Sequence, residues 1–321
     1  MTAMTHRVGY LGPAGTFSEE AVWRLARRAG AGGVEAVPLD SPGAVVAAVH
    51  AGDVDFGCLP VENSVNGAVT STFDALAPSG GWRAQILAEV DLPIAFAIMT
   101  DGRPLPEVDS IATHPVGREQ IAGWLERELP RADYVPAASN AAAARLVAEG
   151  SVHAAAAPER AAELFGLEVV ARGVADRRDA RTRFVAIGPP ARPPRPSGAD
   201  RTAVTFRLAH EPGSLWRALG EFAGRGVDLL RIESRPTKER MGTYRFHVDL
   251  SGHIDEERLG DALVALYPHT ESLHFLGSWP RVEEPPADRI AAGAPEDGGR
   301  PAGRQRAGEA AEWLAAARAG R

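Results

Sequence analysis

Cysteine is almost missing: Cys58 is the only one in 321 residues. A single thiol excludes an intramolecular disulfide and any thiolate metal cluster. Its place in the apolar run Phe56-Gly57-Cys58-Leu59 reads as packing. No apolar run is long enough to cross a bilayer. Residues Met1 to Arg7 lack the apolar core of an export signal, with Met4 an alternative start. Surplus positive charge is missing too. The formal net charge is −7, from 35 Lys and Arg against 42 Asp and Glu, so nucleic acid is not expected as the main partner. No internal repeat is visible. The expectation is a soluble cytoplasmic protein, long enough for two domains or three lobes that each bury a core.

What is present is an alternation of short apolar strands and amphipathic helices, which implies α/β architecture with parallel sheets. Arg7 to Leu11 reads as a strand and Ser18 to Ala29 as a helix. Between them lies Gly12-Pro13-Ala14-Gly15-Thr16-Phe17-Ser18-Glu19. Thr16 and Glu19 have capping-box spacing. A strand, a glycine turn and a helix N-terminus leave N–H groups free, which suits a carboxylate or phosphate; an ordinary tight turn fits the same residues. The glycine spacing is not that of a dinucleotide-binding turn. Val34 to Leu39 follows as a strand, with Ser41 and Pro42 opening a helix. Phe56 to Val61 is a buried strand that delivers Glu62-Asn63-Ser64 to its C-terminal edge, where open parallel sheets bind ligands. The same three residues also read as a polar cap on the next helix.

Pro78 to Gly81 reads as a hinge-like break, followed by strands at Ile86 to Leu92 and Ile94 to Met99. After the short strand Ile111 to Thr113, His114-Pro115 opens a helix expected to run through about Leu129, with Gln120 one turn in. Ser139 caps the helix Asn140 to Glu149. Leu167 to Ala171 is a return strand. The loop Asp176 to Ala180 then enters Arg181-Thr182-Arg183-Phe184 and the apolar run Val185 to Gly188. A hydroxyl, a guanidinium and a ring stand in a row where polar loop meets core. Residues 189 to 200 read as a linker. Beyond it the order is βαββαβ, a ferredoxin-like sandwich. From Glu283 the chain is Pro, Gly and charge, which cannot bury enough apolar surface to order itself; Ala310 to Ala316 is compatible with a helical turn or two.

Four stretches in order, Gly12 to Glu19, Pro60 to Gly67, Thr113-His114-Pro115 and Thr182-Arg183-Phe184, resemble the prephenate dehydratase family. A fifth, Glu233-Ser234-Arg235-Pro236, resembles the phenylalanine-sensing ACT domain that follows it. The resemblance covers about residues 5 to 281. It implies two lobes arranged like a periplasmic binding protein, one of about residues 5–78 and 167–188 and one of about 79–166. An ACT domain would follow at 201–281. It also implies the conversion of prephenate to phenylpyruvate, carbon dioxide and water, without cofactor or metal. Thr182 is expected to be catalytic, polarising the leaving hydroxyl, and Glu62 is the candidate proton source. Arg183 is the expected carboxylate anchor, because its planar fork matches a carboxylate. Gly15, Thr16, Phe17, Asn63, Ser64, Thr113, Gln120 and Phe184 are the further substrate contacts, with His114 ranked lower. Gly213, Ser214, Leu215, Glu233, Ser234, Arg235 and Pro236 are the expected phenylalanine site, in a homodimer or homotetramer. Four positions depart from the family pattern: Ala180 for Asn, Thr113 for Ser, which is conservative, Val116 for Gln and Ser214 for Ala. The rival readings are a non-aromatising prephenate decarboxylase and a non-catalytic amino-acid sensor.

Overall fold

A computed structural model describes residues 5–78, 82–177 and 179–282. Residues 283–321, including the helical turn expected at 310–316, Arg178, and residues 79–81 of the expected hinge lie outside the described residues.

The chain opens with β1 (His6–Leu11), α1 (Phe17–Arg28), β2 (Val34–Leu39), α2 (Pro42–Ala51), β3 (Phe56–Asn63), the two-residue β4 (Gly67–Ala68), α3 (Thr70–Ala75) and β5 (Gln85–Pro93). It continues with β6 (Ala97–Thr100), β7 (Ser110–Thr113), α4 (Pro115–Gln120), α5 (Ala122–Glu128), β8 (Asp133–Pro136), α6 (Asn140–Ala148), β9 (Ala154–Ala157), α7 (Glu159–Phe165), β10 (Glu168–Arg172) and β11 (Arg181–Gly188). The last part is β12 (Asp200–Arg207), α8 (Ser214–Ala223), β13 (Leu229–Pro236), β14 (Tyr244–Ser251), α9 (Glu257–Leu266) and β15 (Ser272–Pro280). Helix starts follow their caps. Thr16, Ser41 and Ser139 each accept from the backbone N–H three residues on, which satisfies an otherwise orphaned donor. Among the described residues no helix is long and apolar enough to cross a membrane.

The strands form three sheets, in the orders β2-β1-β3-β11-β5, β10-β6-β9-β7-β8 and β13-β14-β12-β15. The first two are mixed rather than purely parallel: β11 runs antiparallel to both β3 and β5, and β6 antiparallel to β9 and β10. Two expected lobe boundaries are therefore corrected. Residues 85–93 belong to the first sheet, because β11 needs a partner on its outer edge and β5 supplies it over eight paired positions. Residues 168–172 belong to the second sheet, where β10 pairs with β6 and Val169 packs on that lobe's core. The chain crosses between lobes after β5, at 94–96, and again between β10 and β11. The two crossings are bonded to each other, Ile94 N–H to Ala180 O at 2.8 Å and Val174 N–H to Phe96 O at 3.2 Å.

The expected helix 115–129 is two helices. Ile121 leaves helical geometry at φ −124°, ψ 13° and buries its side chain completely. The Asp176 carboxylate takes the N–H groups of Gly123 and Trp124 at 2.9 and 3.1 Å, capping the new start.

The third sheet is wholly antiparallel. Helices α8 and α9 cover one face through Ala218, Phe222, Leu259 and Leu266. Its other face meets the first sheet, so that Ala203, Leu276 and Trp279 share one core with Val61, Val185 and Ile187. Gly277, at φ +140°, lets β15 approach β5: a Cβ there would collide with the carbonyl oxygen of Ile86.

Candidate active site

The site is built on one ladder. On β3 and β11, Asn63 is paired with Thr182 and Glu62 with Arg183. Directly opposed residues put their side chains on the same face, and successive rungs alternate. Asn63 Nδ2 donates to Thr182 Oγ1 at 2.8 Å. Asn63 Oδ1 accepts the N–H groups of Val65 and Asn66, both at 2.9 Å. Two backbone donors on one atom settle which end of the amide is oxygen. The NH2 end must then face Thr182, whose oxygen accepts and whose proton is left to give. Ser64 prolongs the ladder, its Oγ accepting from Arg181 N–H and its own N–H donating to Arg181 O, each at 2.9 Å. That commits Ser64 to fixing the strand end.

Across the cleft, Gln120 Nε2 donates to Asn66 Oδ1 at 3.2 Å. Gln120 is buried, and its Oε1 has no partner among the described residues. Gly15 turns the chain at φ +83°. A Cβ on Gly15 would lie 3.4 Å from both Ala141 and Ala161, which seats the turn against α6 and α7 of the other lobe. Thr16 caps α1, and the buried Glu19 carboxylate accepts the Gly15 N–H at 2.6 Å. Phe17 meets Phe96 edge to face at 5.6 Å, ring from one lobe against ring from the crossing segment.

Five expected site residues are placed elsewhere. Arg183 points to the opposite face from Thr182. Its Nη1 lies 3.3 Å from Glu89, and its Nη2 lies 3.1 Å from Glu62 and 2.8 Å from Asp249. Burial works against its charge, but Asp249 and Glu89 outweigh it and hold the guanidinium protonated above its ordinary range. Glu62 lies on that same face, paired with Arg183, and does not stand beside Thr182. Phe184 is a core side chain with Tyr10, Val22 and Leu92. Thr113 is fully buried, its Oγ1 2.9 Å from Ala156 O and 3.0 Å from Asn140 Oδ1. His114 caps α4, its Nδ1 accepting from Val116 N–H at 3.2 Å. Reading residues one by one missed Asn66 and Asn140. Asn140 Oδ1 also accepts from His114 N–H at 3.1 Å, so its amide is oriented by the strand that the Thr113 motif ends. An Asn directly after a Ser cap was the available signal, and it read only as helix start.

In the third sheet, Gly213 takes φ +79° before α8, and Ser214 and Leu215 open that helix. Glu233 to Pro236 end β13. Arg235 binds Asp74 of α3 through two nitrogens at 2.9 and 3.2 Å, and Lys238 adds a contact at 2.8 Å. The Arg235 hydrogen bond leads in lowering the Asp74 carboxyl to about 2. None of the described hydrogen bonds or ion pairs joins 213–215 to 233–236 within one chain. Among the described residues no group of three or more His, Cys, Asp or Glu is disposed to hold a metal ion.

The prephenate dehydratase family profile matches residues 8–192, more than half of the chain. The chain belongs to the prephenate dehydratase family. An ACT domain profile matches residues 202–266, a span that holds most of β12, then α8, β13, β14 and α9, and stops short of β15. The prephenate dehydratase of Corynebacterium glutamicum is 52% identical over 291 residues, covering 88% of this chain and 92% of that one. Among solved structures, the Arthrobacter aurescens prephenate dehydratase in complex with L-Phe superposes with a TM-score of 0.79. It is 38% identical and covers 86% of this chain and 90% of its own. A protein described as a quorum-quenching acylase superposes at 0.77, 30% identical, covering 86% of this chain and 98% of its own. Thr182 and Asn63 lie within the span matched by the prephenate dehydratase profile, and the Arg183 ion cluster joins that span to the ACT-matched one.

Proposed function

We propose that this chain removes carbon dioxide and water from prephenate to give phenylpyruvate, with Thr182 as the hydrogen-bond donor to the departing ring hydroxyl. The observation that carries the reading is the fixed Asn63 amide, which occupies a lone pair of Thr182 Oγ1 and leaves the hydroxyl proton to be donated. The chemistry asks for little more than this. As the ring carboxylate leaves as carbon dioxide, its electron pair enters the ring. The C4–O bond breaks, and the departing hydroxide takes up a proton from solvent to become water. Aromatisation drives the step, so no electron sink is required. A threonine hydroxyl is too weak an acid to protonate the leaving group outright; a preorganised donor that stabilises developing charge on oxygen is enough.

The dianion is held by N–H groups and amides instead of Arg183. The first turn of α1, after Gly15, Thr16 and Phe17, offers free N–H groups and the positive end of the helix dipole. Gln120, Asn66 and Asn140 supply neutral polar contacts. Phenylalanine acts as feedback effector through the ACT domain, between Gly213-Ser214-Leu215 of one copy and Glu233 to Pro236 of another. That arrangement asks for a homodimer or homotetramer. The enzyme works in the cytoplasm without a nucleic-acid partner.

Incubating the purified full chain with prephenate tests this directly. Phenylpyruvate is the expected product. A dihydro product would replace the reading with a non-aromatising decarboxylase, and unchanged prephenate would replace it with a sensor.

A further inference from the structure

Three guanidinium groups and three carboxylates meet behind the catalytic ladder. Arg183, Glu62 and Glu89 come from the first sheet; Arg201, Arg231 and Asp249 come from the third. Asp249 accepts from all three cations, at 2.8 Å from Arg183, 3.2 Å from Arg201 and 2.8 Å from Arg231. Glu89 lies 3.3 Å from Arg183 and 3.1 Å from Arg201. Glu89 and Asp249 are almost fully enclosed, 2–3% exposed, while Glu62 is 45% exposed. Burial pushes the Asp249 carboxyl up, and Arg231 and Arg183 more than reverse it, so it stays ionised. Buried ion clusters are poor sources of stability and better at fixing one arrangement against its neighbours. This one fixes the third sheet against the rung that adjoins Thr182 and Asn63.

We infer that Arg183 is a positioning residue through which the regulatory sheet sets the Thr182–Asn63 hydrogen bond. The ladder gives the geometry. Arg183–Glu62 and Thr182–Asn63 are consecutive rungs of the same strand pair. A displacement of Asp249 changes the pull on Arg183, tilts its rung, and carries the neighbouring rung with it. A register irregularity follows Arg183 in this pairing, so the rungs on its far side do not lock it in place. The inference rests on the dehydratase and phenylalanine-effector reading above and extends it to how the two domains communicate.

The test uses the full chain carrying Asp249→Asn or, separately, Glu62→Gln, the second being half exposed and safe for folding. Turnover, KM for prephenate, phenylalanine affinity by calorimetry and inhibition by phenylalanine are measured for each. The expected result is a fall in kcat with KM within about twofold, the mark of an interaction acting in the transition state. Phenylalanine still binds, while the coupling factor between effector and substrate, about 5–150-fold in allosteric proteins, drops toward one. A purely structural role would lower the melting temperature and leave that factor unchanged, which overturns the inference. Loss of phenylalanine binding itself also overturns it, by placing these residues in the effector site. If Asp249→Asn does not fold, Glu62→Gln decides alone. A wild-type chain without dehydratase activity or phenylalanine response overturns the functional reading and this inference together. A responsive wild type with equally responsive variants overturns only the inference.

Discussion

Thr182 and Arg183 are neighbours in the chain and face opposite sides of one sheet. Thr182 Oγ1 meets Asn63 in the cleft, and Arg183 meets Glu62, Glu89 and Asp249 behind it. One strand thus presents chemistry on one face and an inter-domain ion cluster on the other. The first consequence concerns the hydroxyl. Thr182→Val keeps shape and removes the donor. Its turnover of prephenate should fall about 10²–10³-fold, the usual loss when a preorganised donor is removed, with KM little changed. Thr182→Ser keeps the hydroxyl and should retain most of the activity. Equal loss in both variants would mean that packing, not hydrogen bonding, is what the threonine provides.

Asn63→Asp tests the direction of the bond. One carboxylate oxygen still accepts from Val65 and Asn66, so the turn survives. The other oxygen now faces Thr182 as an acceptor and draws the hydroxyl proton away from substrate. Turnover should fall by about as much as in Thr182→Val, on the order of 10²-fold or more. The double variant should be no worse than either single one, since both remove the same interaction. Additive losses by steady-state assay would show that Asn63 acts independently.

Much of this was legible from the chain. The caps at Thr16, Ser41 and Ser139, the strand that delivers Asn63, and the βαββαβ order all follow from local spacing and stand in the structure. The error at Arg183 was also legible in principle. Consecutive strand residues alternate, so Thr182 and Arg183 cannot both face one cavity, nor can Asn63 and Glu62. The lobe crossings were not legible. Whether Ile86 to Leu92 joins the first or the second sheet depends on which strand edge is vacant, and that is a tertiary fact. The ion cluster was hidden for the same reason: no local spacing brings Glu89, Arg201, Arg231 and Asp249 together until two sheets stack.

His247 makes stability depend on pH. It is buried on β14 against Phe73, with Arg231, Arg245, Asp249 and Asp74 as its charged surroundings. Burial first, then Arg231 and Arg245, lower its value from 6.5 to about 3. The folded chain therefore keeps this ring neutral where the unfolded chain protonates it. Stability is fully present above the ordinary value and is lost progressively as pH falls from about 6.5 toward about 3. Urea unfolding at pH 7 and pH 5 should show the acid sample to be less stable, with a smaller difference in His247→Gln. An identical difference in the variant would assign the effect to other groups. Asp74 acts in the same direction, but only lower, between its ordinary value of 3.8 and about 2.

The open edge of the third sheet should be where two copies meet. β13 is at the end of the order β13-β14-β12-β15, with one side unpaired among the described residues. Ile232 on that strand is 42% exposed, and Trp216, one residue beyond Leu215, is 78% exposed. An unpaired strand that carries an exposed β-branched side chain invites another strand, and monomers usually protect such edges with charge. Ile232→Lys introduces that protection. The wild-type chain should sediment as a dimer or larger at micromolar concentration, and the variant should shift toward monomer. Because the proposed effector site needs two copies, the variant should keep its turnover of prephenate and lose its inhibition by phenylalanine. A monomeric wild type that phenylalanine still inhibits would place the effector site within one chain, and the β13 edge would then need another explanation.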